Sequence, residues 1–290
     1  MELMILCAGA GQKGWTGEAI ERPLRTRGKR QAQKIGAWLG GMRLQPDCVL
    51  TGSAKRAQVS AQKALKAGGW TAHDIEVCGL LSEGQLPALR ADQRMLLVAP
   101  RKTVQLLLNE LCHSFKPTAG VLLVLEHKNE TPVLVKCVDP RDLPDTFPYP
   151  APDGPERRDR PAYYYKQSAV IPYRQTDAGK EVLIVHSSSG RHWVVPKGIV
   201  EPGLDPGASA AVEAREEAGI KGVIGDRRLG TFRYEKWGAT CEVAVYAMEV
   251  TTVLEGDDWE ERHRTRKWVS QARAARLLHQ QAFRTMVADI

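Results

Sequence analysis

Three glutamates lie close together in one short segment of the chain. Glu213, Glu216 and Glu217 are so spaced that, on a helix, their carboxylates fall within about one turn. Like charges at this spacing repel, and a helix C-terminus disfavours anions further. A divalent cation is the simplest partner that offsets this cost, and oxygen ligands favour Mg²⁺ or Mn²⁺ over zinc. The alternative is a solvated acidic face that Arg215 partly neutralises.

A short helix must carry these glutamates. Asp205 is a good N-cap, and Pro206 suits the first helical position because its missing N–H needs no partner there. Gly219 is the expected left-handed end of the helix. Residues 193–197 favour a strand, and Gly198 lies in the loop that follows. The sequence therefore predicts a strand, a loop and a helix in succession.

This segment, residues 193–220, resembles a Nudix box, whose usual pattern is G-x5-E-x7-R-E-U-x-E-E-x-G-U, with U an aliphatic residue. Gly198 takes the first position, Glu213 follows the arginine position, and Glu216 and Glu217 form the acidic pair. The resemblance implies that the three glutamates hold a catalytic Mg²⁺ or Mn²⁺, with help from the backbone at Gly198. It also implies an α/β/α sandwich.

Two positions depart from the pattern. Leu204 stands where the first glutamate belongs, and Val212 replaces an arginine that normally orients a catalytic glutamate. Glu201 lies close enough in sequence to cover part of the role lost at Leu204. The positions matched to metal ligands are intact, so the departures bear on rate more than on metal binding.

The resemblance also implies a reaction. Nudix domains cleave a nucleoside diphosphate linked to another group by attack of water on phosphorus, and a bound cation neutralises the pyrophosphate oxygens. Lys197 either contacts a phosphate as a point charge or is an ordinary solvated loop lysine. The general base is open between Glu213 and Glu260 or Glu261 of a late acidic loop, and that loop also reads as plain solvated surface.

The flanking sequence is typical of the same sandwich with a mixed sheet, over residues 162–290. Strand-like stretches occupy residues 162–172, 182–186, 229–234, 240–250 and 266–269. We expect Tyr163 to Tyr165 to begin the first of these strands. Ser270 is expected to cap a single final helix that runs to about Val287.

Residues 1–139 predict a separate domain. Strand and helix patterns alternate along it, which implies a three-layer α/β domain with a mostly parallel sheet covered on both sides. Ala32, Ile35, Gly36 and Leu39 are expected on the inner face of its first helix.

This half resembles a SixA-type histidine phosphatase. Its R-P-L-T-x-x-G-x-x-Q-A signature is matched by Arg22-Pro23-Leu24, Gly28 and Gln31-Ala32, and Arg56 is retained from a second motif. The catalytic residues are absent, because Cys7-Ala8 replace Arg-His and Ala99-Pro100 replace Gly-His.

Without the phosphorylated histidine the resemblance implies an inactive domain. Arg56 is then a candidate for binding substrate phosphate without cleaving it, and plain scaffolding is the alternative. Cys7 as a thiolate nucleophile is a weaker alternative, since no base is visible near it in sequence.

Composition limits the possible domain linker, binding partners and cellular location. Seven prolines between Pro140 and Pro161 favour an extended, semi-rigid linker over residues 140–161. Most of the net charge of +7 lies in the first half, but it is scattered and lacks an aromatic platform, so nucleic acid is an unpromising partner. Six cysteines without a C-x-x-C pair favour reduced thiols and a cytoplasmic location. We expect no membrane segment, and the oligomeric state is open.

Two functions from different classes follow. The first is a metal-dependent pyrophosphohydrolase acting on a nucleoside polyphosphate, a dinucleoside polyphosphate or a diphosphoinositol-type compound. Trp193 and Lys197 form a W-x-x-P-K-G approach to the box that resembles the Nudix branch acting on the last two substrate classes. Oxidised nucleoside triphosphates are the nearest alternative substrate. The second is a catalytically weak or inactive protein that binds a phosphorylated metabolite.

Overall fold

The computed structural model describes residues 2–72, 74–89, 92–111, 113–126, 132–149 and 156–290. The chain divides into two compact units. The first comprises the residues up to Tyr149 together with Arg157–Ala162, and the second comprises Tyr163–Ile290. Within the described residues, no helix combines the length and the apolar character that a membrane span requires.

The first unit is built on a six-stranded sheet in the order β3-β2-β4-β1-β5-β6. The four strands from β3 to β1 run parallel, and β5 and β6 add two antiparallel pairs at the other edge. The strands are β1 (Glu2–Cys7), β2 (Cys48–Thr51), β3 (Ile75–Val77), β4 (Arg94–Ala99), β5 (Leu122–Glu126) and β6 (Val133–Val138). The mostly parallel sheet is confirmed.

Helices cover both faces of this sheet. They are α1 (Thr26–Gly41), α2 (Lys55–Gly68), α3 (Gly79–Glu83) and α4 (Arg101–Glu110). One core packs Ile35 and Leu39 of α1 and the alanines of α2 against the sheet. The other core packs Val104 and Leu107 of α4 against the opposite face. All four residues predicted for the inner face of α1 are buried, so the three-layer arrangement is confirmed.

The described part of the proline-rich segment packs onto α1. Lys34 donates from Nζ to the carbonyls of Pro140 and Leu143, at 3.1 and 2.9 Å. Phe147, in the two-residue strand β7 (Phe147–Pro148), is buried, and β7 pairs with β8 (Arg157–Arg158). The linker bounds of 140–161 stay a prediction, but these residues extend the core of the first unit and do not run free.

The second unit has a mixed seven-stranded sheet. Its strands are β9 (Lys166–Thr176), β10 (Gly179–His186), β11 (Trp193–Val194), β12 (Lys197–Ile199), β13 (Ile220–Lys236), β14 (Ala239–Val253) and β15 (Arg266–Ser270). The main order is β11-β10-β9-β14-β13, with β12 on β9 and β15 on β10. Among the described strands of this sheet, only β9 and β14 form a parallel pair.

Helices again lie on both faces of the sheet. Helix α5 (Pro206–Ala218) buries Ala210, Ala214 and Ala218 against one face. Helices α6 (Gln271–Leu277) and α7 (Gln281–Met286) cover the other, where Phe283 and Ala274 are buried. The predicted α/β/α sandwich is confirmed.

Two local predictions are wrong. Residues Ala162–Tyr165 form a 3₁₀ turn, and the first strand begins at Lys166. The single final helix is two helices, because Leu278 is extended and the His279 N–H donates to the Trp193 carbonyl at 3.0 Å. This tertiary contact breaks the helix where the sequence shows no proline or glycine. Ser270 stands at the N-cap position of α6 but makes no side-chain cap.

Candidate active site

Helix α5 carries the three glutamates and has both predicted ends. The Asp205 carboxylate accepts from the N–H groups of Gly207 and Ala208, at 2.8 and 3.1 Å, and Pro206 opens the first turn. Gly219 ends the helix at φ 61°, in the left-handed region that favours glycine. The loop before the helix and its C-terminal turn therefore fix where the glutamates lie.

Glu213 lies against the backbone of Gly198. A Cβ added to Gly198 would stand 1.8 Å from Glu213 Oε1 and 1.9 Å from its carboxyl carbon. Gly198 belongs to β12, which pairs with β9 through the Gly198–Ser168 register. Glycine at this position therefore lets the carboxylate of α5 reach the edge of the sheet, a contact that any side chain would block.

Both carboxylate oxygens of Glu217 are held. Oε2 accepts from the backbone N–H of Lys197 at 2.9 Å, and Oε1 accepts from Nη2 of Arg264 at 2.9 Å. Only 16% of the Glu217 side chain is exposed. One group comes from the strand before the helix and the other from the acidic loop after β14, so Glu217 is fixed from two sides.

The three glutamates lie in a region of excess negative charge. Burial, followed by the neighbouring charges of Glu217, Glu216 and Glu201, raises the pKa of Glu213 to about 8. Burial also raises the pKa of Glu217. The pKa of Glu216 is raised by burial and then by Glu260 and Glu261. Glu213 thus feels the charges of the other two glutamates, and the shared metal site stays a prediction.

These residues fit a hard divalent cation. Among the described residues no group of three or more histidines, cysteines or carboxylates is drawn together at ligand distance. The charges of Glu217 and Glu216 nonetheless act on Glu213, whose pKa they raise. The atoms that these glutamates offer to a cation are all carboxylate oxygens, which suit a hard divalent ion. Gly198, which has no side chain, provides the space that the Glu213 carboxylate occupies.

Lys197 is not a solvated loop residue. It lies on β12, and its Nζ donates to Oε1 of Gln167 at 3.1 Å. The Tyr234 hydroxyl donates to the same oxygen at 2.8 Å, and Gln167 itself is 4% exposed. Burial lowers the pKa of Lys197, against the nearby charge of Glu217. A fixed ammonium group thus lies beside the carboxylates.

The acidic loop packs onto the end of α5. The Glu261 N–H donates to the Glu216 carbonyl at 3.2 Å. Arg266 donates to the carbonyls of Ala218 and Gly219, at 2.7 and 3.0 Å, and stacks on the ring of Trp259. The Arg266 side chain therefore stabilises the carbonyl end of the helix, where negatively charged glutamates are unfavourable. The alternative of a plainly solvated loop is wrong for Glu261 and Trp259.

The structure also places the residues that depart from the motif. Val212 is exposed at 39% and makes none of the contacts of an orienting arginine. Glu201 lies near enough to Glu213 to raise its pKa, and its N–H donates to Ser209 Oγ at 3.0 Å. Leu204 donates its N–H to the Glu201 carbonyl in the turn before α5.

Arg56 lies in the first unit, near the end of β1. Burial lowers its pKa, and the charge of Arg22 lowers it further. Cys7 is buried, and burial raises its pKa to about 11, although Arg56 and Arg101 oppose this. A thiol with so high a pKa is protonated at neutral pH, which argues against Cys7 as a nucleophile.

Three residues around the glutamates escaped sequence reasoning: Gln167, Tyr234 and Arg264. Gln167 and Tyr234 are ordinary strand residues, and only the β9–β14–β13 pairing brings them to Lys197. Arg264 stands in a run of alternating charges after the acidic loop. The charges of that run favour a pairing with the helix glutamates, but they do not indicate which arginine makes it.

Comparisons with known proteins agree with this geometry. The NUDIX domain model matches residues 165–290. Diphosphoinositol polyphosphate phosphohydrolase 3-beta of Bos taurus is 37% identical over 122 residues, which cover 41% of this chain and 71% of that protein. Diphosphoinositol polyphosphate phosphohydrolase 2 of Rattus norvegicus is 36% identical over 118 residues, covering 40% of this chain. The chain spans 63% of the length of that relative.

Solved structures include a neighbour of the first unit. The protein histidine phosphatase SixA complexed with tungstate is 17% identical, with a TM-score of 0.41, over 49% of this chain and 99% of that one. The resemblance of residues 1–139 to that family therefore still rests on its motif residues. For residues 165–290 the motif, the sandwich and the sequence identity agree, and the chain belongs to the Nudix family.

Proposed function

We propose that the second unit is a metal-dependent pyrophosphohydrolase that cleaves a phosphoanhydride bond by attack of water. The substrate is a nucleoside polyphosphate, a dinucleoside polyphosphate or a diphosphoinositol-type compound. The observation that carries this proposal is the contact between Glu213 and Gly198, with Glu216 and Glu217 on the same end of α5. A purely structural helix has no need to bury carboxylates against a backbone that only glycine permits.

Glu213, Glu216 and Glu217, with the backbone at Gly198, are the residues that would hold Mg²⁺ or Mn²⁺. When bound, such a cation neutralises pyrophosphate oxygens and makes water a better nucleophile at neutral pH. The protein itself contributes the fixed orientation of Glu217, through Lys197 N–H and Arg264.

Lys197 is the proposed phosphate-binding residue. Its ammonium group is anchored by Gln167 and keeps two donors for a ligand. Because burial disfavours the charged ammonium, an anionic phosphate is a favourable partner. The general base is open between Glu213 and the acidic loop, where Glu261 lies close to Glu216.

Among the three substrate classes, the relatives support the diphosphoinositol type. They are named diphosphoinositol polyphosphate phosphohydrolases and share more than a third of their aligned residues with this chain. A compound dense in phosphates also suits a fixed lysine beside a cation site.

Among the described residues no cysteine forms a disulfide, which supports a reducing, cytoplasmic setting.

The second candidate function is binding of a phosphorylated metabolite without catalysis, with Arg56 as the binding residue in the first unit. Arg56 and Arg101 lie near enough to Cys7 to act on its pKa, and the charge of Arg22 lowers the pKa of Arg56. Mutually repelling arginines favour an anion.

Turnover with and without an intact glutamate tests the main proposal. Phosphate or pyrophosphate release is measured with Mg²⁺ and Mn²⁺ on nucleoside triphosphates, dinucleoside polyphosphates and inositol pyrophosphates. Glu217→Gln is expected to lower kcat by about three orders of magnitude, since it removes a charge beside the cation. The control is Glu242→Gln, an exposed glutamate paired with Arg233, which should turn over normally. Equal rates for Glu217→Gln and wild type would refute the assignment.

A further inference from the structure

One arginine joins the helix glutamates to the acidic loop. Arg264 contacts Glu217 Oε1 through Nη2 at 2.9 Å and Glu261 Oε2 through Nε at 2.5 Å. Its side chain is 8% exposed, whereas the side chain of Glu261 is 34% exposed. Two different nitrogens of one guanidinium group therefore hold two carboxylates from different elements.

This burial is costly and calls for a reason. A guanidinium group loses much of its hydration when it is enclosed, and an ion pair at this depth adds little net stability. Placing it between two carboxylates nonetheless constrains both. Arg264 Nη2–H donates to Glu217 in a set direction, whereas the contact of Nε with Glu261 is an ion pair without hydrogen-bond geometry. Stability alone thus explains Arg264 poorly, and orientation explains it well.

The remaining contacts of the two carboxylates point the same way. The second oxygen of Glu217 is held by Lys197 N–H, so Arg264 completes the fixation of that carboxylate. The Glu261 N–H donates to the Glu216 carbonyl, so the backbone of the loop is already docked and only the carboxylate of Glu261 depends on Arg264.

We propose that Arg264 is a positioning residue that orients Glu217 and Glu261 relative to each other for the hydrolytic reaction. The assignment rests on the proposed function, in which Glu217 helps to hold the cation. Arg264 touches neither the cation nor the substrate in this role, and it acts through the two carboxylates.

The same loop offers a matched control. Arg262 forms an ion pair with Asp257 and its side chain is 59% exposed, so its removal changes the same net charge without touching α5. Arg264→Lys keeps the charge but loses the fork, and Arg264→Ala loses both. All three variants are made in the full chain.

The experiment measures kcat, KM and Mn²⁺ affinity for each variant, the last by electron paramagnetic resonance without substrate. Arg264→Ala is expected to lower kcat and Mn²⁺ affinity by roughly 10- to 100-fold, the usual effect of losing a residue that orients a metal ligand. KM should change little. The kcat and Mn²⁺ affinity of Arg264→Lys should lie between those of Arg264→Ala and wild type, and those of Arg262→Ala should equal the wild-type values. Added millimolar guanidinium ion should restore part of the kcat of Arg264→Ala alone.

Other results would contradict either the positioning role of Arg264 or the proposed function. If Arg264→Ala keeps its kcat and binds Mn²⁺ more tightly, Arg264 merely neutralises charge and the positioning role is wrong. If Arg264→Ala does not fold, the activity of Arg264→Lys tests the proposal instead. Full activity of Arg264→Lys would show that the guanidinium geometry is not required, and the positioning role would be wrong. The proposed function fails separately, when Glu217→Gln turns over as fast as wild type, and the Mn²⁺ measurement still tests Arg264 in that case.

Discussion

At the scale of single residues, the site depends on one glycine as much as on three glutamates. The carboxylate of Glu213 occupies the space that a side chain at position 198 would need. Conversely, Val212 carries no charge where the family pattern has arginine, and Arg264 from a distant loop contacts Glu217. Chemistry at this site therefore depends on contacts between residues that are far apart in sequence.

Gly198→Ala tests the contact with Glu213. The atoms in the way belong to the flexible end of a glutamate, so the side chain can move and the fold should lose little stability. Moving the carboxylate should still lower kcat by about 10- to 100-fold and weaken Mn²⁺ binding. Thermal unfolding and turnover are measured together, with Gly225→Ala as the control, since a Cβ there meets only ordinary contacts. Normal turnover in Gly198→Ala would show that the contact is incidental.

At the scale of elements, the C-terminal turn of α5 concentrates negative charge where a helix tolerates it least. Arg266 binds the final carbonyls, and Trp259 packs over Gly219, where a Cβ would lie 2.5 Å from its ring. The loop after β14 therefore stabilises the helix end from outside. The pKa of Glu213 remains raised in spite of this support.

Stability without metal should therefore fall as pH rises. The folded protein keeps the proton of Glu213 up to a pKa of about 8, whereas the unfolded chain loses it near 4.5. The stabilisation is complete below the lower value and is lost progressively up to the higher one. We expect the Tm in a chelator to decrease between about pH 5 and about pH 8, and the decrease to be smaller in Glu213→Gln.

Added Mg²⁺ should reverse this decrease, because it binds the deprotonated carboxylates. Circular dichroism melts at several pH values, with and without Mg²⁺, provide the measurement. An equal slope in wild type and Glu213→Gln would contradict the assignment of Glu213 as the titrating group.

At the scale of the whole molecule, the chain has two units with separate cores, and the proposed catalytic residues all lie in the second. The first unit keeps a group of arginines near Cys7 but has no histidine at its two catalytic motif positions. Hydrolysis should therefore need only the Nudix domain.

We expect residues 161–290 alone to keep kcat within about twofold of the full chain. Arg56→Ala in the full chain should likewise keep kcat, while binding of inorganic phosphate, measured by calorimetry, should be weakened. Loss of turnover in a folded fragment would show that the first unit contributes to the reaction. Unchanged phosphate binding in Arg56→Ala would remove Arg56 as a binding residue.

Much of the architecture could be predicted from the sequence. The helix with Asp205 and Gly219 at its ends, the alternating strands and helices of the first unit, and the proximity of the three glutamates all depend on local spacing. Local propensity fixes such features because it acts within a few residues. The break at Leu278 and the 3₁₀ turn at Tyr165 could not be predicted, since tertiary contacts override local preference there.

The sequence by itself determined the family motif and the residues proposed to hold a cation. Only the tertiary structure decided what surrounds them. Gln167, Tyr234 and Arg264 reach the site through strand pairing and a loop return over dozens of residues, which no local pattern encodes. Contacts of this kind depend on the burial of whole elements, and burial is a property of the folded chain, because each side chain gains its neighbours only when the sheet and helices have packed.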